Sequence, residues 1–187
     1  MADRLVTTNR VRAALTLVLV LLLAGLALRG CGPTVPPPSV HGHAPLTQAE
    51  VTAQFPETER ITIAGRAFEL ELALTEAQRY QGLSDRAWIP EDGGMLFVFP
   101  DAARRAFVMR RCLVPIDLVY LDADGRVLNM HRMEIEPYDR PEWMLRRYRS
   151  DGPAQYVIEL AGGTLDELEL ARGDRVEIPS DLKRRAE

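Results

Sequence analysis

The run Ile116–Leu121 (IDLVYL) is apolar except for Asp117, follows Pro115, and leads directly into Asp122-Ala-Asp-Gly125. β-branched and aromatic residues at this length, bounded by a proline and an Asp-Gly turn, specify a strand that opens a hairpin. A carboxylate inside such a strand must be paired, protonated or used, because an unpaired charge in apolar surroundings is too costly. The chain must therefore build a sheet with a buried face and find an arrangement that accommodates Asp117.

The flanking sequence supplies the rest of that sheet. Phe68, Leu70, Leu72 and Leu74 alternate with Ala67, Glu69, Glu71 and Ala73, the period of a half-buried strand. A shorter strand is expected over 60–63, a continuous apolar one over 95–99, and others over 106–109, 126–133, 155–160 and 175–178. Thr75-Glu-Ala-Gln78 is a capping box with Gly82 at the position of a C-cap, which predicts a helix over 75–81. Thr164-Leu-Asp-Glu167 reads as a second box opening another short helix, and 47–55 can form a helical turn. Short strands at regular spacing with two short helices predict a mainly β chain, a compact β-sandwich or barrel. No internal repeat is visible.

Ahead of this lies a segment of different character. Arg4, Arg10 and Arg12 precede an uncharged, mainly apolar run over 13–28, the pattern of a secretory signal or short anchor. Leu28-Arg-Gly-Cys31 resembles the lipobox of bacterial lipoproteins, which implies lipidation at Cys31, although Arg29 stands where a small residue is usual. Cleavage after Ala27 and an uncleaved anchor are the alternatives, and each leaves the domain outside the cytoplasm. Pro33, Pro36, Pro37, Pro38 and Pro45 then mark a semi-rigid spacer. The expected organisation is a leader or anchor over 1–30, a Pro-rich linker over 31–56, a β domain over 57–180 and a charged tail over 181–187.

Six motifs occur in an order that resembles the DUF192 family. They are Arg79-Tyr-Gln-Gly-Leu-Ser-Asp-Arg86, Gly94-Met-Leu-Phe-Val-Phe99, Met109-Arg110 with Val114-Pro-Ile-Asp117, Leu121-Asp-Ala-Asp-Gly125, Tyr156-Val-Ile-Glu-Leu160 and Gly173-Asp-Arg-Val176. The resemblance implies a jelly-roll-like β fold and no activity. Two departures stand out. Arg111-Cys112 replaces an Asn-Thr type pair usual in the family, and Ala161-Gly-Gly163 replaces Asn-Ala-Gly.

Candidate chemistry is sparse. The acidic balance, a formal net charge of −4, argues against general nucleic-acid binding. The two cysteines exclude a disulfide scaffold. Asp117 reads either as a pocket acid or as a buried ion pair with Arg79, Arg86 or Arg110. Cys112 stands beside Arg110 and Arg111, which favour thiolate, and with His131 and Asp117 it makes a formal nucleophilic triad; a buried thiol is the plainer reading. The loop over 134–153 is basic and aromatic, and its Trp143, Arg146 and Tyr148 join Arg79, Arg110 and Asp117 as ligand-binding candidates. Such a surface suits a small anionic or sugar ligand, or an envelope protein. No cofactor is expected, and no metal: His41 with His43 read as solvated side chains, a site of His131, Glu134 and Glu136 with Asp117 is set against the usual solvation of acidic loops, and Asp122-Ala-Asp-Gly125 lacks the distal acid of a calcium loop. Signatures of the familiar enzyme classes are absent. The expectation is an extracytoplasmic, membrane-tethered binding or accessory domain. The alternatives are an enzyme using Asp117 as acid or base, and a purely structural envelope protein.

Overall fold

The computed structural model describes residues 44–186. The expected leader and most of the linker, with Cys31, His41 and His43, lie outside the described residues. The chain runs α1 (Gln48–Gln54), β1 (Thr58–Ile63), β2 (Arg66–Ala73), α2 (Glu76–Gln81), β3 (Gly93–Ala103), β4 (Ala106–Phe107), β5 (Ile116–Leu121) and β6 (Val127–Met133). It continues through a 3-10 turn at Glu142–Met144 to β7 (Tyr148–Arg149), β8 (Ala154–Ala161), α3 (Thr164–Glu167) and α4 (Leu182–Arg185).

Six strands form one mixed sheet in the order β1-β2-β3-β8-β5-β6, and β4 pairs with β7 in a second, small sheet. β2 and β3 are parallel, joined through α2, while every other pair is antiparallel. The main sheet stays open with β1 and β6 at its edges, so the fold is mainly β and sandwich-like, and the barrel alternative is excluded. The strand expected over 175–178 is reduced to a bridge between Arg175 and Arg126. Gly173 and Pro179 leave too few residues for a ladder, and the segment bonds instead to Gly125 and Val127 at the β5–β6 turn. That turn forms as its residues demand. Gly125 takes φ 76, and Asp122 Oδ1 accepts from the N–H groups of Asp124 and Arg126.

Successive residues of a strand face opposite sides, and here both sides are buried. Leu70, Leu72, Leu96, Val98, Val119 and Ile158 face one core cluster, closed by Leu165, Val176 and Leu182. Met95, Phe97, Leu118, Tyr120 and Val157 face the other, closed by Phe55, Leu83, Met109, Cys112 and Tyr148. Val51 and Phe55 are buried beside the N-terminal end and Leu182 at the other, so the packed body reaches beyond 57–180 in both directions.

β8 lies between β3 and β5, and its neighbours approach closely. A Cβ on Gly94 would stand 2.2 Å from the Glu159 carbonyl oxygen, on a backbone with φ +149. Neither strand can yield without breaking the ladder. Gly94→Ala should therefore cost about 3 kcal/mol or more, read as a lower denaturation midpoint in urea.

Candidate functional site

α2 starts where its sequence requires. The Thr75 hydroxyl accepts from Gln78 N–H, and the Gln78 side chain returns the bond. The helix stops at Gly82, whose φ of 52 turns the chain down onto the sheet. A Cβ there would meet the Phe97 ring at 3.3 Å and Glu159 Oε2 at 3.7 Å. Glycine thus lets the end of α2 rest almost directly on Glu159.

An open cleft of about 820 Å³ lies between α2 and the segment after β4. Phe97, Phe99 and Phe107 line its apolar part, with Phe97 and Phe107 edge to face at 4.9 Å. Tyr80, Arg79, Arg110 and Glu142 stand at its mouth, and Cys112 and Glu159 lie within. The Arg110 guanidinium stacks on the Tyr80 ring at 3.6 Å, bonds the Tyr80 carbonyl, and meets Glu142 at 3.5 Å. Its backbone is fixed too, because the Arg110 carbonyl accepts from the Ser84 hydroxyl and the Cys112 thiol.

Glu159 is 5% exposed, and its Oε2 has no hydrogen-bond partner. Burial pushes its pKa up from the ordinary 4.5 to about 8, against the opposing pull of the Leu83 N–H and the Arg86 charge. The carboxyl is therefore harder to ionise than an exposed glutamate. Arg86 does not neutralise it by pairing, because that guanidinium is committed to Glu71 through two bonds of 2.9 and 2.6 Å.

Asp117 occupies a different place. It lies on the opposite face of the sheet from Glu159, is 1% exposed, and its Oδ2 accepts from the Leu165 N–H at 2.7 Å. The expected ion pair with Arg79, Arg86 or Arg110 does not form. Arg79 donates to the Leu74 and Val98 carbonyls, and the other two are engaged as described. Asp117 instead caps α3 from a neighbouring strand, and Gly163 N–H and Leu165 N–H partly offset the upward shift that burial gives its pKa. The capping box expected at Thr164 is absent for the same reason. Gly163 is the N-cap, and the Thr164 hydroxyl donates back to the Ala161 carbonyl.

Of the remaining candidates, Arg79 and Arg110 both line the cleft, whereas Trp143, next to Glu142 in sequence, is exposed and does not line it. Tyr148 is a core residue, 3% exposed, bonded through its hydroxyl to Glu134 N–H and covered by Arg146 at 4.8 Å. Both hold the long loop to the sheet. Cys112 is buried; desolvation and the nearby Glu159 push its thiol far above the ordinary range, so the adjacent arginines do not make it a thiolate. His131 packs against Tyr120 and Tyr148 on β6 and bonds the Arg149 carbonyl at 2.8 Å, so the triad is not assembled. Among the described residues, no three His, Cys, Asp or Glu side chains are placed to hold a metal ion. Glu159 was legible only as part of a strand, although an acid inside Tyr156-Val-Ile-Glu-Leu160 carries the same signal as Asp117.

The two buried acids make separable predictions. An acid raised in the folded state contributes fully to stability below its unfolded pKa and loses that contribution as pH rises through its folded value. Glu159→Gln should therefore gain stability over the wild type progressively between pH 4.5 and about 8 and level off above, by a few kcal/mol in all, in urea titrations across that range. Asp117→Ala should lose about 2 kcal/mol by stranding the Leu165 N–H, while leaving the environment of Tyr80 and Arg110 unchanged in NMR spectra.

The family model for DUF192, described as an uncharacterized ACR group, matches residues 59–178. A protein of unknown function from Novosphingobium aromaticivorans DSM 12444 has a crystal structure that is 30% identical, with a TM-score of 0.56, covering 65% of this chain and 84% of its own. A Sinorhizobium meliloti 1021 protein, described only provisionally as a transcription regulator, is 33% identical with a TM-score of 0.53, covering 63% of this chain and 89% of its own. No curated protein matches. With the cleft, the mixed sheet and these matches together, the chain belongs to the DUF192 family of uncharacterised proteins.

Proposed function

We propose that this chain is a ligand-binding or accessory domain whose site is the cleft over Glu159, carried outside the cytoplasm by its N-terminal segment. One observation carries the binding reading. A buried carboxyl with an unpartnered oxygen at a cleft is a group the fold has left unsatisfied, and a ligand with a hydrogen-bond donor satisfies it. The cleft's size suits a small molecule, and its aromatic lining offers apolar contact around a few polar groups. Of the two acids that the strands bury, Glu159 and not Asp117 lines this space. The alternative of an enzyme therefore rests better on Glu159, whose raised pKa near neutrality suits acid–base work. An acidic chain of pI ≈ 5.5 is poorly suited to a phosphate backbone, which sets it apart from the regulator role described for the Sinorhizobium protein.

The tether reading rests on the basic and apolar leader ending at Cys31. No helix of the described residues is long and apolar enough to cross a membrane. An alkyne-tagged fatty acid fed to expressing cells should label the wild type and not Cys31→Ser; equal labelling removes lipidation from the proposal.

For the cleft, thermal unfolding of the full-length chain in mild detergent, against sugars, sugar acids, lipid headgroups and amines, is the direct test. A true ligand at about 100 times its dissociation constant should add about 2.7 kcal/mol, a rise of several degrees. Glu159→Gln should melt higher on its own at pH 8 yet lose most of the ligand-induced rise. A rise that persists undiminished in that variant places the site elsewhere.

A further inference from the structure

A second depression of about 380 Å³ adjoins the cleft and shares Tyr80, Arg110 and Glu142 with it. Its remaining wall is Arg111, Tyr138, Asp139 and Arg140, so three arginines share it with two carboxylates, Asp139 and Glu142. Each arginine head is pinned by one acid: Arg110 by Glu142, Arg111 by Asp85 at 2.8 Å and Arg140 by Glu136. A guanidinium has five N–H donors, so one carboxylate leaves it capacity for another oxyanion, and its fixed orientation lowers the entropy lost on binding one. Among the described residues, four buried side-chain polar atoms have no partner. Two are Arg110 Nε and Arg111 Nε at this depression, a third is Glu159 Oε2 in the adjoining cleft, and the fourth is Arg86 Nε. Unsatisfied donors in one depression and an unsatisfied carboxyl in the adjoining one give an occupant that bridges them two kinds of polar contact.

Resting on the cleft reading above, we propose that the two depressions form one site for a hydroxylated organic anion of monosaccharide size. Its phosphate or carboxylate group seats on Arg110 and Arg111 with Arg140 at the rim, and its hydroxyl reaches Glu159. A hydroxyl suits the inner contact, because it bonds a carboxyl in either protonation state. The aromatic lining accommodates the less polar face of such a ring.

Isothermal titration of the full-length chain in mild detergent with glucose 6-phosphate, glucuronate, glucose and inorganic phosphate tests this. At least one of the two anionic sugars should bind about tenfold or more tightly than both glucose and phosphate. Which of them does so separates a phosphate ester from a carboxylate as the natural group. Binding of that ligand should weaken as salt rises from about 50 to about 500 mM. Arg111→Gln should lower its affinity at least about tenfold and leave glucose unaffected. Arg140→Gln, at the rim, provides a second variant with a smaller loss should the first fold poorly. Glu159→Gln should weaken both sugar types while leaving inorganic phosphate unchanged. Anionic sugars that bind no better than glucose, arginine variants without effect, or no binding by any of the four probes would overturn the proposal. If a neutral ligand still binds in a Glu159-dependent way, the cleft reading survives that failure; if no ligand of the cleft depends on Glu159, both fall.

Discussion

The burial of both faces of the central strand β8 is the constraint on which the rest depends. β8 is hydrogen-bonded to β3 on one edge and β5 on the other, and Val157 and Ile158 are fully buried on opposite sides. An acid on the enclosed stretches of this strand or of β5 is taken largely out of water and must find its partners inside the protein. Asp117 on β5 and Glu159 on β8 meet this condition from opposite faces. Their different fates divide the molecule into a face whose polar groups are satisfied and one that retains an unsatisfied carboxyl.

On the first face the acid is absorbed into structure. α3 follows β8 after a two-glycine turn and has no side-chain cap of its own. Asp117 supplies one from the adjacent strand, and the helix brings Leu165 down over the core. On the second face no equivalent donor reaches Glu159 Oε2. Arg86 lies near enough to lower its pKa but is held by Glu71 and by stacking over the Phe55 ring at 5.3 Å. Diverting that guanidinium would strip Glu71 of its two bonds. Desolvation therefore prevails, and the pKa of the carboxyl stays raised.

Much of this was legible in the sequence. The strand over 116–121, the Asp-Gly hairpin and the box opening α2 each rest on local chemistry that tertiary structure had no reason to override. The Thr164 box failed because a carboxylate distant in sequence, Asp117, took the cap, and no local rule can register that competition. Tyr148 was misread for a related reason: aromatic and basic residues in a long loop suggest an exposed surface, but Tyr120 Oη donates to the Tyr148 carbonyl and draws the ring into the core. Asp117 and Glu159 gave the same signal, an acid within an apolar strand. Only the register of the strands and the fold of α2 decide which of them faces a cleft.

The departures from local rules are not scattered. Among the described residues, Asp85 and Arg111 take left-handed backbone angles of 64 and 50, tolerated by a short polar side chain such as Asp85 and costly for Arg111. The third such non-glycine residue, Ala64, lies in the β1–β2 turn, where that conformation is routine. Asp85 and Arg111 hold one another there, through a backbone bond of 2.9 Å and their ion pair, and Tyr138 adds a bond of 2.8 Å to Asp85. Glu159, Arg110 and Arg111, each with an unpartnered buried atom, line the two depressions, and Arg111 carries its left-handed backbone there. Elsewhere the chain obeys its propensities, as the well-formed cap of α2 shows. Arg86 Nε and Ala64 apart, the exceptions of the described residues gather around one concave surface, where the fold departs most from its local preferences.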